Sequence, residues 1–177
     1  MLNMHIATTR FNKETLQEHQ NWCIAHEFKG AIINASKHIS KSIPPNDDVC
    51  VIHMLNLKPK QNDGCGGTIV GFSIIKNRPV YSHNENYGYI FDNFRIYSDG
   101  NYNRVTYMSD CYFPIEEFTT LEDKKTIGLL EEILFYGKGN MKRGEGITKM
   151  PDYYLTKNEL DFFKKMQLIK LNYNNHV

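Results

Sequence analysis

The sequence predicts an α+β fold in which a mostly antiparallel sheet curls into a partly closed β-barrel with flanking helices. Residues 49–57 and 68–76 are β-rich runs joined by Asn62, Asp63, Gly64, Cys65, Gly66 and Gly67, which reads as a long-looped antiparallel hairpin. One helical pattern follows the first extended segment and two more come late in the chain. The 177 residues, 41% hydrophobic and 23% charged, suit one domain with a proper core. That composition excludes a disordered, collagenous or coiled-coil chain.

Residues 4–8 make a short extended start. Asn12 or Thr15 caps a helix over 13–27, and Thr15 has Glu18 three residues on, the spacing of a capping box. Leu16, His19, Cys23 and Ile24 recur at helical spacing and give this helix an apolar side. Gly30 then releases the chain into a short strand, Ala31 to Asn34. Pro44 and Pro45 forbid helix in the stretch 42–48, and Asn46, Asp47 and Asp48 favour a turn because such side chains bond their own backbone. Residues 88–97 alternate as a strand, and 103–108 form another after the turn 98–101, giving a second hairpin. Apolar positions 127, 129, 130, 133 and 134 follow the helical pattern, so 127–136 is a helix closed by a glycine-rich basic loop. Asn158 caps a last helix over 159–168 with Leu160, Phe163 and Met166 on its buried side, and residues 172–177 fray.

Lys and Arg number 21 against 20 Asp and Glu, so no global field draws the molecule to nucleic acid or to an anionic membrane. Binding of that kind requires a local patch. The first residues contain no secretory h-region, and no apolar run approaches the roughly 18–20 residues of a membrane span, which predicts a soluble intracellular chain. Cys23, Cys50, Cys65 and Cys111 lack tight spacing and are expected as free thiols.

Most chemical motifs fail on spacing. Cys23 with His26 and Cys50 with His53 are two C-x-x-H units, and two of each ligand type is a legitimate zinc set. On a helix such a pair shares a face, whereas on a strand it does not, so Cys50 and His53 cannot readily ligate together. No G-x-S-x-G elbow is present, and no cysteine sits in a nucleophile context. The carboxylate pairs 47–48, 116–117 and 131–132 are adjacent in sequence and point apart on either kind of element. The stretch 137–148 has the glycines and lysines of a phosphate loop, but they close a helix instead of opening one. No catalytic residue, metal ligand or cofactor set emerges, which leans away from an enzyme and leaves only a cleft assembled from distant residues.

What remains is charge placement and aromatics. Lys138, Lys142, Arg143 and Lys149 face only Glu145 in the stretch 137–150, while residues 109–132 carry seven acids against two lysines. Glycines let backbone N–H groups approach a ligand closely, and the cations among them suit phosphate. The bland alternative is a solvated helix C-terminus. Tyr102, Asn103 and Arg104 follow a turn, and Trp22 lies near the end of the first helix. Stacking on Trp or Tyr beside Arg is a usual way to hold an unpaired base, although a core tryptophan is the competing reading.

The order of helix, short strand, Pro-rich turn at 43–49 and the strand at 69–74 resembles the first half of the PUA-like superfamily, which includes EVE, ASCH and YTH domains. The likeness covers residues 13–80. Residues 74–79, 101–104, 134–137 and 141–147 look like an uncharacterised protein family of large DNA viruses infecting protists, and the 18 asparagines fit an AT-rich genome. The resemblance implies a PUA-like barrel that binds RNA or a modified or flipped base in DNA, and a location in the host cytoplasm, the viral factory or the virion. It also implies that the first helix, the loop after the first internal strand and the basic segment meet at one side. Trp22, Asn34, Tyr102, Asn103, Arg104, Lys138, Lys142 and Arg143 are the expected nucleic-acid contacts. The alternative is a non-enzymatic viral structural or interaction component that self-associates through its acidic and basic segments.

Overall fold

A computed structural model describes residues 4–57, 66–80, 94–136 and 146–174. It contains strands β1 (His5–Phe11), β2 (Ala31–Ala35), β3 (Asp48–Asn56), β4 (Gly67–Lys76), β5 (Val105–Ser109), β6 (Tyr112–Pro114) and β7 (Thr148–Lys149). Helices α1 (Lys13–Ala25), α2 (Leu121–Glu131) and α3 (Lys157–Asn174) complete the α+β architecture. The main sheet has the order β6–β4–β3–β1–β7, parallel only between β1 and β3, while β2 and β5 form a separate antiparallel pair. Among the described residues these sheets do not close into a barrel; between them the Ser109 hydroxyl of β5 donates to the Ile74 carbonyl of β4 at 2.6 Å, and Val80, just past β4, donates its N–H to the Thr106 carbonyl at 2.8 Å.

The alternation of side chains along β3 explains why it is apolar almost throughout, since both faces of the sheet are covered. Cys50, Ile52 and Met54 pack with Ile6, Phe72 and Ile74 under α2 and α3, which contribute Leu130, Phe162, Phe163 and Met166. Val49 and Val51 face the other way, onto Ala7 and Ile75 and onto Ile33 and Tyr107 of the β2–β5 pair. A third cluster sets Trp22 of α1 with Phe11, Phe28, Ile32, Ile96, Tyr97 and Met108. Full burial of one such side chain is worth about 1.5–3 kcal/mol, so these clusters carry the stability.

The hairpin of β3 and β4 forms as the sequence predicts, with one irregularity: His53 pairs with Gly71 and Met54 with Ile69, so Val70 is bulged out. Glu131 of α2 takes up the consequence, its Oε1 accepting the Ile69 N–H at 2.9 Å and the Thr68 hydroxyl at 2.8 Å.

Several expectations change. Among the described residues β5 pairs with β2 and not with 94–97, because the apolar run 31–35 offers a buried partner for 105–109. Residues 94–97 are irregular backbone rather than strand, and the remainder of that expected strand lies outside the described residues. Asn103 belongs to a 3₁₀ turn, Gly100–Asn103, before β5 begins. Asn12 caps α1, with Thr15 as its partner in the box, not Thr15 with Glu18. Ile24 is 75% exposed, and Trp22 is the buried residue of that helix. The α2 segment starts earlier than expected, at Leu121, and ends in a π-helical turn, Glu132–Tyr136. The Glu159 carboxylate accepts the Thr156 N–H at 2.8 Å and the Leu160 N–H donates to the Thr156 carbonyl, so Thr156 and not Asn158 opens α3. Phe162 takes the buried position expected of Leu160, which is 40% exposed. Residues 172–174 continue the helix instead of fraying.

Candidate ligand pocket at the junction of β1 and α1

Because β1 and β3 run parallel, Phe11 and Asn56 finish them on the same side of the sheet, and β2 ends beside them. A pocket of about 330 Å³ opens there. Thr9, Arg10, Asn12 and Thr15 form one side, Asn34 and Ser36 another, with Asn56, Tyr97, Tyr102 and Gly146 completing it. The first turn of α1 therefore borders the pocket with the positive end of its dipole, and Arg10 adds a cation two residues earlier. Gly146 takes φ +65°, and a Cβ there would lie 3.3 Å from that of Ala35, so a glycine lets the chain pass close to the end of β2.

Tyr97 and Tyr102 meet edge to face, with ring centroids 6.2 Å apart and planes at 83°. Tyr97 is buried, whereas Tyr102 is 45% exposed and offers a free ring surface. Burial, followed by the nearby Cys23 and Glu18, raises the Tyr97 phenol above its ordinary range, so it stays a neutral hydroxyl.

Asn34 lines the pocket but cannot donate to a ligand. Its amide nitrogen donates to the Phe94 carbonyl and, at 2.9 Å, to Asn103 Oδ1, while its Oδ1 accepts the Thr106 hydroxyl at 2.8 Å. Both amide hydrogens are used. Asn34, expected as a nucleic-acid contact, is thus part of the pocket wall with its amide hydrogens spent inside the protein.

Of the other expected contacts, Tyr102 lies in the pocket and Asn103 stands behind it. Arg104 is exposed and donates to Asn101 Oδ1 at 2.9 Å, outside the pocket lining. Trp22 is 7% exposed, stacks on His26 with centroids 4.0 Å apart, and belongs to the α1 core. Lys138, Lys142 and Arg143 lie outside the described residues, as does most of the basic segment; in sequence that segment runs directly into Gly146. The sequence reading passed over Arg10, Asn56 and Tyr97. A cation just before the helix cap Asn12 was the available signal for Arg10; nothing in the sequence marks Asn56 or Tyr97, which are brought in by the β1–β3 pairing and the irregular loop.

The remaining chemistry is structural. Burial pushes the Cys23 thiol up to about 11 and raises Cys50 and Cys111 as well, so none of the three is a ready thiolate. Cys50 packs on the helix side of the sheet while His53 bonds Ser73 Oγ at 2.8 Å, and no group of three or more metal-binding side chains forms among the described residues. No helix among them is long and apolar enough to cross a membrane. Set against family models, curated proteins and solved structures, the chain matches none.

Proposed function

We propose that this protein is a nucleic-acid-binding module that takes one unpaired or flipped base of RNA or DNA into the pocket between β1 and α1. The observation that carries the reading is the half-exposed Tyr102 ring, propped by Tyr97, in the same pocket as Arg10 and the first turn of α1. An aromatic plane for the base and positive charge for its phosphate are the minimal parts of such a site. The volume of about 330 Å³ is of the size that ligand pockets occupy. The two sheets are, on this reading, the halves of a partly closed PUA-like barrel, supported by the Val80–Thr106 bridge that links them. Lys142 and Arg143 then supply further phosphate contacts from the segment leading into Gly146.

The test is fluorescence anisotropy with labelled single-stranded RNA and DNA over a salt series. Affinity falls with a log–log slope near −0.7 per phosphate contact on a single strand, and replacing Lys142 and Arg143 together flattens it by about one to two units. An absence of binding to every oligonucleotide at low salt overturns the proposal.

A further inference from the structure

We infer that Asn103 is a positioning residue for the tyrosine pair, holding Tyr97 and Tyr102 in the arrangement that a ligand meets. The sequence placed Asn103 among the nucleic-acid contacts, but its side chain is spent inside the protein. Its Oδ1 accepts three N–H groups, from Ile96 and Tyr97 at 3.0 Å each and from Asn34 Nδ2 at 2.9 Å. Its Nδ2 donates back to the Tyr97 carbonyl at 2.6 Å. One side chain thus satisfies both the N–H and the C=O of Tyr97.

The reason lies in the backbone. Ile96 and Tyr97 are buried in irregular backbone, not in a strand, so their polar groups are satisfied by side chains. A short amide is the side chain that offers an acceptor and donors at once; aspartate lacks the donors, and alanine lacks everything. Asn103 directly follows Tyr102, whose N–H donates to the Asp99 carbonyl at 3.1 Å within the same 3₁₀ turn. Gripping Tyr97 from the residue after Tyr102 fixes how the two rings meet. Glu18 of α1 makes a second attachment, its Oε1 accepting the Ser98 N–H at 3.1 Å. The wall carrying the tyrosines is therefore tied to the helix whose first turn also lines the pocket.

The arrangement itself is a property of the free protein, while its use in binding rests on the function proposed above. The experiment separates the two. In the full chain with ¹³C-labelled tyrosine, ring-to-ring nuclear Overhauser effects between Tyr97 and Tyr102 are recorded without ligand, and a labelled single-stranded RNA is titrated in parallel. Asn103→Ala loses the contact and binds about tenfold or more weakly, the result of ordering two side chains at binding, and Asn103→Asp, which keeps an acceptor but sets an oxygen against the Tyr97 carbonyl where the amide donates, also loses the contact and binds more weakly than wild type. Retention of the ring contact in Asn103→Ala overturns the inference, as does unchanged affinity after its loss. If Asn103→Ala fails to fold, retention of the ring contact and of wild-type affinity in Asn103→Asp overturns it equally. A wild type that shows the ring contact but binds no oligonucleotide refutes the nucleic-acid reading and leaves the positioning role standing.

Discussion

Trp22 stacks on His26 with ring centroids 4.0 Å apart and planes at 17°, four residues along the same helix, and His26 Nδ1 lies 2.8 Å from the Trp22 carbonyl. This places the single tryptophan in the packing of α1 against Phe28 and Ile32, outside the pocket lining. Trp22→Ala is expected to cost about 3–5 kcal/mol of stability, the usual loss for a buried tryptophan. Chemical denaturation measures it. A variant as stable as wild type that has lost oligonucleotide affinity would return Trp22 to a binding role.

Glu131 stands in for a missing strand partner at the β4 bulge. Glu131→Ala strips the buried Ile69 N–H and the Thr68 hydroxyl of their acceptor, with an expected cost of about 1–3 kcal/mol. Glu131→Gln keeps an acceptor oxygen and should recover most of that loss. Equal denaturation midpoints for Glu131→Ala and wild type would show that the bulge holds itself.

Much of this architecture was legible, and the failures share a cause. Local signals marked the Asn12 region as a helix start, residues 49–57 and 68–76 as a hairpin, and the presence of α1, α2 and α3 but not the start of α2, because caps, turn residues and apolar spacing are short-range. The partner of β5 was not legible, since β2 lies more than 70 residues away and only the shared core at Ile33 and Tyr107 selects it. The same limit applies to the pocket. Tyr102 was found as an aromatic after a turn, but Asn34 and Asn103 carry the same polar signal whether they face a ligand or each other. Only the hydrogen-bond partners distinguish these roles.

His53 and His19 flank Phe11, whose ring lies 6.1 Å from that of His53 and 5.3 Å from that of His19. Burial lowers both, His53 to about 3 with the neighbouring His19 adding to it, while the hydrogen bond to the Ile32 carbonyl opposes the lowering of His19. The folded chain therefore keeps His53 neutral where the unfolded chain protonates it near 6.5. Stability from this source is complete above that pH and is lost as pH falls toward the folded value. At pH 5 the His53 contribution lost is about 2 kcal/mol. Urea midpoints at pH 7 and pH 5 should drop more steeply for wild type than for His53→Gln; parallel drops would contradict the assignment.

The affinity of Tyr102→Ala for a labelled single-stranded oligonucleotide, measured beside its melting temperature at fixed salt, tests the central claim most directly. Because Tyr102 is half exposed, the account predicts an almost unchanged melting temperature and a binding loss of about 1–3 kcal/mol, the worth of one stacked base. Wild-type affinity in this variant would contradict the claim that the pocket between β1 and α1 is where a base is held.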